Sequence, residues 1–182
     1  MRALILLLLL TAGLARAQDP PRPDLFYLGV FADEARAVDC VTGPVGATFT
    51  QVGWAWAPPD RGLAYVTYRF EFPANLDLTR RPELHPLVAE LIITPYGDGT
   101  SEWNFVFAEC VGGWVRVFAQ ECTITSTAPG TVRTVAHHSM IRDCDWVLND
   151  VEILGDLRVN EPGCGTVPAT AASWGTVRSL YR

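Results

Sequence analysis

Apolar and polar residues alternate with a period of two along much of this chain. The clearest example is the run Val66–Phe72, in which apolar side chains fill every even position and polar side chains every odd position. Successive side chains of a strand point to opposite faces of a sheet, so this run predicts a strand with one buried and one wet face. Gly, Pro, Asp and Asn separate it from seven further strand-like runs: Leu25–Phe31, Ala47–Ala57, Leu87–Pro95, Trp103–Cys110, Trp114–Cys122, Val132–Ile141 and Trp146–Leu154.

The residues between these runs predict turns rather than helices. The segments 96–99 (Tyr-Gly-Asp-Gly) and 111–113 (Val-Gly-Gly) each join two strand-like runs, and both are expected to close hairpins. No long stretch shows helical periodicity, and only Pro82–Glu90 is expected to hold a short helical turn. Seven or eight strands with turn signals between them favour an all-β sandwich or barrel.

The two ends of the chain differ from this pattern. Residues 1–17 combine an early arginine, an apolar stretch and the small-x-small triplet Ala15-Arg16-Ala17, which is typical of a secretory signal peptide and too short for a membrane span. Residues 18–164 then form one β-sandwich domain. Residues 165–182 have the composition of a linker followed by a short helix, on which Trp174, Val177 and Tyr181 share a face. We therefore expect a secreted protein, extracellular or periplasmic. Two interpretations of its C-terminal segment stay open: a docking or sorting tag through which subunits associate, or an end segment that packs on the sandwich or frays.

The charge of the chain argues against one class of partner. Its formal net charge is −6, and all 14 basic residues are arginine. Nucleic acids are bound by basic patches that neutralise phosphates, and no basic stripe is present. The sequence therefore predicts no nucleic-acid binding.

Five cysteines lie in the predicted exported part, where disulfides persist. Two bridges and one leftover thiol are expected. We predict a bridge between Cys110 and Cys122, which flank the predicted hairpin, and one between Cys144 and Cys164; the fifth cysteine is Cys40. None of the spacings is C-x-x-C, so neither a zinc ribbon nor a thioredoxin-like redox pair is indicated.

Catalytic and metal-binding patterns are not found in the sequence. There is no G-x-S-x-G motif, and the adjacent His137 and His138 would point to opposite faces of a strand. We accordingly predict no catalytic residue, no metal and no cofactor. Acidic residues are plentiful, which leaves a secreted hydrolase using two carboxylates as a minor alternative.

The six tryptophans are the most suggestive candidates for a binding role. Trp54 and Trp56 stand two residues apart on one side of a predicted strand, close to the Pro58–Gly62 turn. Trp103 and Trp114 each begin a strand-like run, which also places them near loop ends, where binding surfaces are common. These four side chains are predicted to form a contact surface, with burial in the core as the alternative.

The stretch Gly62–Leu78, a Gly-Leu turn leading into an alternating strand and a Pro-x-x-Leu step, resembles part of the cohesin-like family. That resemblance implies a jelly-roll β-sandwich of the kind that carbohydrate-binding modules also use. The chain departs from cellulosomal cohesins in its cysteine-rich second half. Its layout, with a first strand ending in Asp33-Glu34, is also similar to that of secreted proteins of environmental bacteria.

Three functions remain open from the sequence. The leading hypothesis is a non-catalytic secreted module that recognises a glycan or a protein partner through its loop-end aromatic residues. The second is a structural subunit of an extracellular or cell-surface assembly, joined through the C-terminal segment, a free cysteine or an exposed sheet edge. The third is the secreted hydrolase.

Overall fold

A computed structural model describes residue 20 and residues 22–164 of the chain. The predicted signal peptide and the predicted C-terminal segment lie outside these residues. The described part contains a 3₁₀ turn at Ala136–His138 and the strands β1 (Phe26–Phe31), β2 (Cys40–Val41), β3 (Thr48–Ala57), β4 (Leu63–Glu71), β5 (Leu76–Leu78), β6 (Glu83–Leu84), β7 (Val88–Pro95), β8 (Thr100–Val111), β9 (Gly113–Ile124), β10 (Gly130–Thr134), β11 (Met140–Arg142), β12 (Leu148–Ile153) and β13 (Leu157–Val159).

These strands form two packed sheets. In the first sheet β3 pairs with β1 on one side and with β9 on the other, and β5 and β6 pair with β9 at its edge. In the second sheet β8 pairs with β7 and β4, and β4 continues to β10 and β11. All of these pairs are antiparallel. β12 links the two sheets, since it pairs antiparallel with β11 and parallel with β1. The predicted all-β sandwich is confirmed.

The core lies between the sheets and is rich in aromatic rings. The Phe105 ring of β8 stacks on the Phe118 ring of β9 with centroids 5.4 Å apart. Tyr68 of β4 meets the Phe118 ring edge-on, with centroids 5.6 Å apart. Gly53 allows this packing, because a Cβ there would lie 2.0 Å from the Phe118 ring at the point where the β3–β9 register shifts. The even positions of the Val66–Phe72 run point inward, as its alternation predicts.

One predicted strand is interrupted. The run Val132–Ile141 divides into β10 and β11 around the 3₁₀ turn, and the Ser139 side chain explains the break. Its hydroxyl accepts a hydrogen bond from the Arg69 amide at 3.0 Å and donates one to the Val135 carbonyl at 3.0 Å. The Ser139 hydroxyl therefore stands in for a backbone partner at this position. The helical turn predicted for Pro82–Glu90 is also wrong: that segment contains β6 and the start of β7.

The two predicted hairpins have different outcomes. At residues 96–99 the prediction is confirmed: the Tyr96 amide donates to the Thr100 carbonyl at 2.8 Å, and β7 pairs with β8. The Val111–Gly113 turn instead carries the chain from β8 in the second sheet to β9 in the first sheet. Among the described residues, no helix is long and apolar enough to cross a membrane.

Candidate binding surfaces

Three of the four predicted contact tryptophans gather on the outer face of the first sheet. Trp56 of β3 lies opposite Trp114 of β9 in the register, and their ring centroids are 5.5 Å apart. Trp54 lies opposite Arg116, one step along the same face. All three indoles are half-buried, because they are close to one another and to the loop that follows β1.

That loop places an arginine over the indoles. The Arg36 guanidinium carbon lies 4.2 Å from the Trp114 ring centroid and 4.9 Å from that of Trp54. Arg36 has a positive φ of 58° and is 6% exposed. The Asp33 carboxylate shapes the turn by accepting hydrogen bonds from the amides of Ala37 and Val38 at 2.9 and 3.0 Å. We call Arg36, Trp54, Trp56 and Trp114 the aromatic face.

The aromatic face is partly covered by the chain itself. Arg36 covers the ring faces of two of its three indoles, an arrangement that stabilises the loop through cation–π attraction and burial of the arginine stem. The three indole N–H groups are buried and find no hydrogen-bond partner among the described residues. Trp54 and Trp56 do lie on one side of their strand, as expected, but an arginine occupies the space in front of Trp54.

Trp103 belongs to the core and not to a contact surface. It is 2% exposed, and its ring packs against Phe70 and Phe118 with centroids 5.4 and 5.3 Å away. Its indole N–H donates to the Ser101 hydroxyl at 3.1 Å. This burial corrects its assignment as a binding residue, since a position near the start of a strand does not determine which face the side chain takes.

The disulfides join different cysteines from those predicted. The structure pairs Cys40 with Cys164 and Cys110 with Cys144, with Cα atoms 5.1 and 5.7 Å apart. Both predicted pairs are therefore wrong. The Cys110–Cys122 pair rested on a hairpin, but the turn after β8 is a crossover, so the two residues lie in different sheets.

Cys122 is the free cysteine of the described residues, and it is buried. Burial raises the pKa of its thiol to about 12. A thiol needs a low pKa and access to solvent to react, so Cys122 has neither property of a nucleophile or of an intermolecular bridge.

The Cys110–Cys144 bridge lies beside an ion pair whose carboxylate is buried. Asp143 is 3% exposed, and its carboxylate accepts hydrogen bonds from the Arg61 guanidinium at 2.7 Å and from the Val147 amide at 2.9 Å. Burial by itself raises the pKa of Asp143, but the hydrogen bonds from Arg61, Asn149 and Val147 outweigh it and hold the pKa below its ordinary value. Asp143 is therefore a charged anchor for this loop and is unsuited to act as a general acid.

The outer face of the second sheet carries a connected polar network. The Asn104 side-chain oxygen of β8 accepts hydrogen bonds from the Tyr65 hydroxyl and, at 2.9 Å, from the Thr67 hydroxyl of β4. The Asn104 amide group in turn donates to Glu102 at 3.0 Å. These residues alternate with the core residues of the same strands, so they point away from the core. We define the polar face as six residues of this surface: Tyr65, Thr67, Glu102 and Asn104, together with the half-buried Val106 of β8 and Met140 of β11.

The network extends to the β7–β8 hairpin. Glu102 accepts a hydrogen bond from the Tyr96 hydroxyl at 3.2 Å. Arg69 lies 3.6 Å from the Tyr96 ring centroid and donates to Thr100 at 2.6 Å and to Asp98 at 3.1 Å. Hydrogen bonds from the Thr100 hydroxyl and amide, with Arg69 close by, keep the pKa of Asp98 below its ordinary value. The hairpin is thereby fixed to the edge of the polar face.

The described residues hold no group of three or more His, Cys, Asp or Glu side chains arranged to bind a metal ion. His137 and His138 fall in the 3₁₀ turn and not in a strand. Their rings lie 4.1 Å apart instead of pointing to opposite faces.

Comparisons with known proteins show the fold. No family model matches the chain, and no curated protein matches it. A cohesin module from a family 33 glycoside hydrolase of Clostridium perfringens matches with a TM-score of 0.60 and 12% identity, over 76% of this chain and 98% of that one.

Two further solved structures agree. The non-cellulosomal cohesin of the archaeon Archaeoglobus fulgidus has a TM-score of 0.53 and 12% identity, over 76% of this chain and 94% of that one. The sixth cohesin of scaffoldin B from Acetivibrio cellulolyticus, in complex with a Cel5 dockerin, has a TM-score of 0.58 and 13% identity, over 75% and 98%. At such low identity these likenesses establish the fold alone: the chain is a cohesin-like β-sandwich, as the Gly62–Leu78 stretch predicts.

Proposed function

We propose that this chain is a non-catalytic, extracytoplasmic module that binds a protein partner through its polar face. The fold supports the kind of function, because a cohesin of the same architecture is found in complex with a dockerin, which is a protein partner. The location of the site is argued from this chain's own residues.

The observation that carries the proposal is the hydrogen-bond network from Tyr65 through Asn104 to Glu102. It crosses two strands and fixes polar side chains on an outward face before any partner arrives. A surface that is already ordered loses less side-chain entropy on binding, which favours affinity. The buried members of the network, Thr67 at 2% and Asn104 at 7% exposure, hold its more accessible members in place.

The composition of the polar face is typical of a protein interface. Protein interfaces combine apolar contact area with a moderate number of hydrogen bonds and are depleted in charge at their centre. Here Val106 and Met140 contribute half-buried apolar surface beside the Tyr65–Asn104 pair, and Ile92 at the edge of the sheet is 47% exposed. Of the charged residues, Glu102 belongs to the polar face itself, where the Tyr96 hydroxyl donates to it, and Arg69 and Asp98 lie toward the hairpin.

A protein partner also fits better than a glycan. Sugar rings stack on open aromatic faces, whereas Arg36 lies over the Trp54 and Trp114 rings of the aromatic face. The polar face offers one tyrosine, Tyr65, whose hydroxyl is held by Asn104. Hydrogen-bonding side chains with adjoining aliphatic groups are better suited to a folded protein surface.

Location outside the cytoplasm is supported by the disulfides. Cys40–Cys164 and Cys110–Cys144 join segments 124 and 34 residues apart in the sequence. Such bridges persist in oxidising compartments and are rare in the reducing cytosol. Together with the signal-peptide pattern of residues 1–17, they favour export.

The test is a capture experiment with matched variants. The exported chain is immobilised, exposed to the extracellular and cell-surface fractions of the producing organism, and compared with Val106→Arg and Met140→Arg. Each substitution places a long charged side chain on the polar face at a half-buried position, so it blocks docking with little effect on the core. The matched control is Thr48→Arg, at an exposed position on the outer side of β3.

We expect a specific protein on the wild-type chain and on Thr48→Arg, with loss from both polar-face variants. Urea unfolding of all four chains checks that each is folded. Equal capture by all four would disprove the polar face as the site. Binding on a glycan array that persists in Val106→Arg and is lost in Trp56→Phe would replace the protein partner with a sugar and move the site to the aromatic face.

A further inference from the structure

The strand β7 forms an open edge of the second sheet. Among the described residues it pairs with β8 on one side, and no strand is paired on its other side. Ile92 and Ile93 of β7 are 47% and 45% exposed, one on each face of the sheet. An exposed apolar edge strand is a template for pairing with another chain.

Most of the devices that protect sheet edges are confined to the ends of this strand. The register with β8 shifts between Val88 and Glu90, which makes Ala89 a bulge, and Pro95 ends the strand with a residue that lacks an N–H group. Between these two interruptions lies a regular stretch of five residues, Glu90–Thr94, with the sequence ELIIT. Its single charged residue is Glu90, and its midpoint is Ile92.

We propose that this stretch pairs antiparallel with the same stretch of a second copy of the chain, with Ile92 of one copy opposite Ile92 of the other. In this register Leu91 lies opposite Ile93 of the second copy, and Glu90 lies opposite Thr94. Apolar residues therefore meet apolar residues, and each carboxylate meets a hydroxyl group. The two Glu90 side chains lie at opposite ends of the paired stretch and do not repel each other closely.

Neighbouring registers lack this complementarity. With Leu91 at the symmetric centre, Glu90 of each copy would lie opposite Ile92 of the other. A charged residue directly opposite an isoleucine forms neither a hydrogen bond nor an apolar contact, so that cross-strand pair contributes little. The Ala89 bulge on one side and Pro95 on the other likewise restrict the pairing to the stretch centred on Ile92.

An apolar groove beside the edge supports the same pairing. Leu91 and Ile93 form one wall of a groove of about 430 Å³, and its other lining residues are Arg81, Pro82 and Leu84 of the β6 segment. Strand addition places alternate side chains of the incoming strand into such pockets. Here the incoming Leu91 and Ile93 of the second copy occupy the groove side, so the grooves of both copies adjoin and are shielded from water together.

The dimer is expected to be weak and reversible. Five paired residues and two small grooves bury less surface than the roughly 1,200–2,000 Å² typical of stable complexes. Association would join two second sheets into one and place two polar faces side by side. This inference does not depend on the polar face having a partner, because the contact is made by β7 and the neighbouring β6 segment.

Sedimentation equilibrium of the exported chain over a wide concentration range measures the association. We expect a monomer–dimer equilibrium and at least about tenfold weaker association for Ile92→Lys, which brings two like charges together at the symmetric centre. Val45→Lys, at a position 60% exposed on a loop, is the matched control and is expected to dimerise like wild type. A truncated chain lacking residues 165–182 is expected to dimerise as well.

A covalent trap fixes the register. Residues directly opposite in a sheet have Cβ atoms about 4.5–5.5 Å apart, so Ile92→Cys is expected to form a disulfide-linked dimer on mild oxidation. Glu90→Cys alone should not, whereas a mixture of Glu90→Cys and Thr94→Cys should form a mixed dimer. The buried Cys122 thiol does not compete.

Three results would overturn the proposal: a wild-type chain that stays monomeric at millimolar concentration, a dimer unaffected by Ile92→Lys, or a dimer lost on removal of residues 165–182. The last result would assign association to the C-terminal segment. The capture experiment tests the polar face separately, so a negative capture result does not bear on dimerisation through β7.

Discussion

The two outer faces of the sandwich use similar side chains for different purposes. On the aromatic face, the half-buried indoles of Trp54 and Trp114 lie beneath the guanidinium of Arg36, a residue of the loop after β1. On the polar face, Tyr65 and its partners Asn104 and Glu102 bond to one another along the sheet. We therefore expect the aromatic face to contribute mainly to stability and the polar face mainly to the proposed partner binding.

The largest expected effect is on the aromatic face. Trp54→Ala removes an indole ring that the Arg36 guanidinium contacts. Loss of a large packed side chain costs about 3 kcal/mol of unfolding free energy. Urea unfolding, monitored by circular dichroism, measures this loss of unfolding free energy. A loss below about 1 kcal/mol would show that the indole is not part of the folded framework, as expected of an open platform.

The second prediction concerns the ion pair between Arg61 and the buried Asp143 carboxylate. Asp143→Asn weakens the hydrogen bonds from Arg61, with a loss of about 2 kcal/mol at neutral pH. Because folding lowers the pKa of Asp143, its contribution is present above the unfolded pKa and disappears as pH falls through the folded value. The difference in urea midpoint between wild type and variant should therefore shrink below about pH 4. A difference that stays constant down to pH 2 would contradict this assignment.

The third prediction separates the Arg36 charge from its stem. Arg36→Met keeps much of the aliphatic contact with Trp54 and Trp114 but removes the cation, so we expect a loss of about 1 kcal/mol. Arg36→Ala should lose more, since the stem is removed too. No loss in Arg36→Met beside a clear loss in Arg36→Ala, measured by the same unfolding assay, would mean that cation–π attraction contributes little here.

The smallest effect on stability is expected on the polar face. Tyr65→Phe removes one hydroxyl that bonds to Asn104, at a cost of about 0.5–1 kcal/mol. Its effect on partner binding should be larger than its effect on unfolding, whereas Arg36→Met should show the reverse. Unfolding and binding are measured in parallel on the two variants. If the same variant has the larger effect in both assays, the two faces do not differ in function.

Local features of the fold were predictable from the sequence. The alternation in Val66–Phe72 fixes which side chains of β4 enter the core, because the period of a strand is two whatever its neighbours. The Asp98-Gly99 pair similarly predicts the β7–β8 hairpin, since glycine readily adopts the positive φ of 83° found at Gly99.

Features that depend on distant segments were not predictable. The Gly112-Gly113 pair has the composition of a hairpin but connects two sheets, and this difference led to the wrong cysteine pairing. Arg36 reaches Trp54 from 18 residues away through a turn with positive φ, which no periodicity signals. The polar face escaped notice because its members look like the ordinary wet side of two strands, and the hydrogen bonds between them require the β4–β8 register.

The most direct test of the division between the faces is the affinity of the captured partner for two variants that urea unfolding shows to be folded. Titration calorimetry with the purified partner compares wild type, Val106→Arg on the polar face and Trp56→Phe on the aromatic face. We expect at least about tenfold weaker binding for Val106→Arg and no change for Trp56→Phe. Unchanged affinity for Val106→Arg with weakened binding for Trp56→Phe would contradict this expectation and assign recognition to the aromatic face.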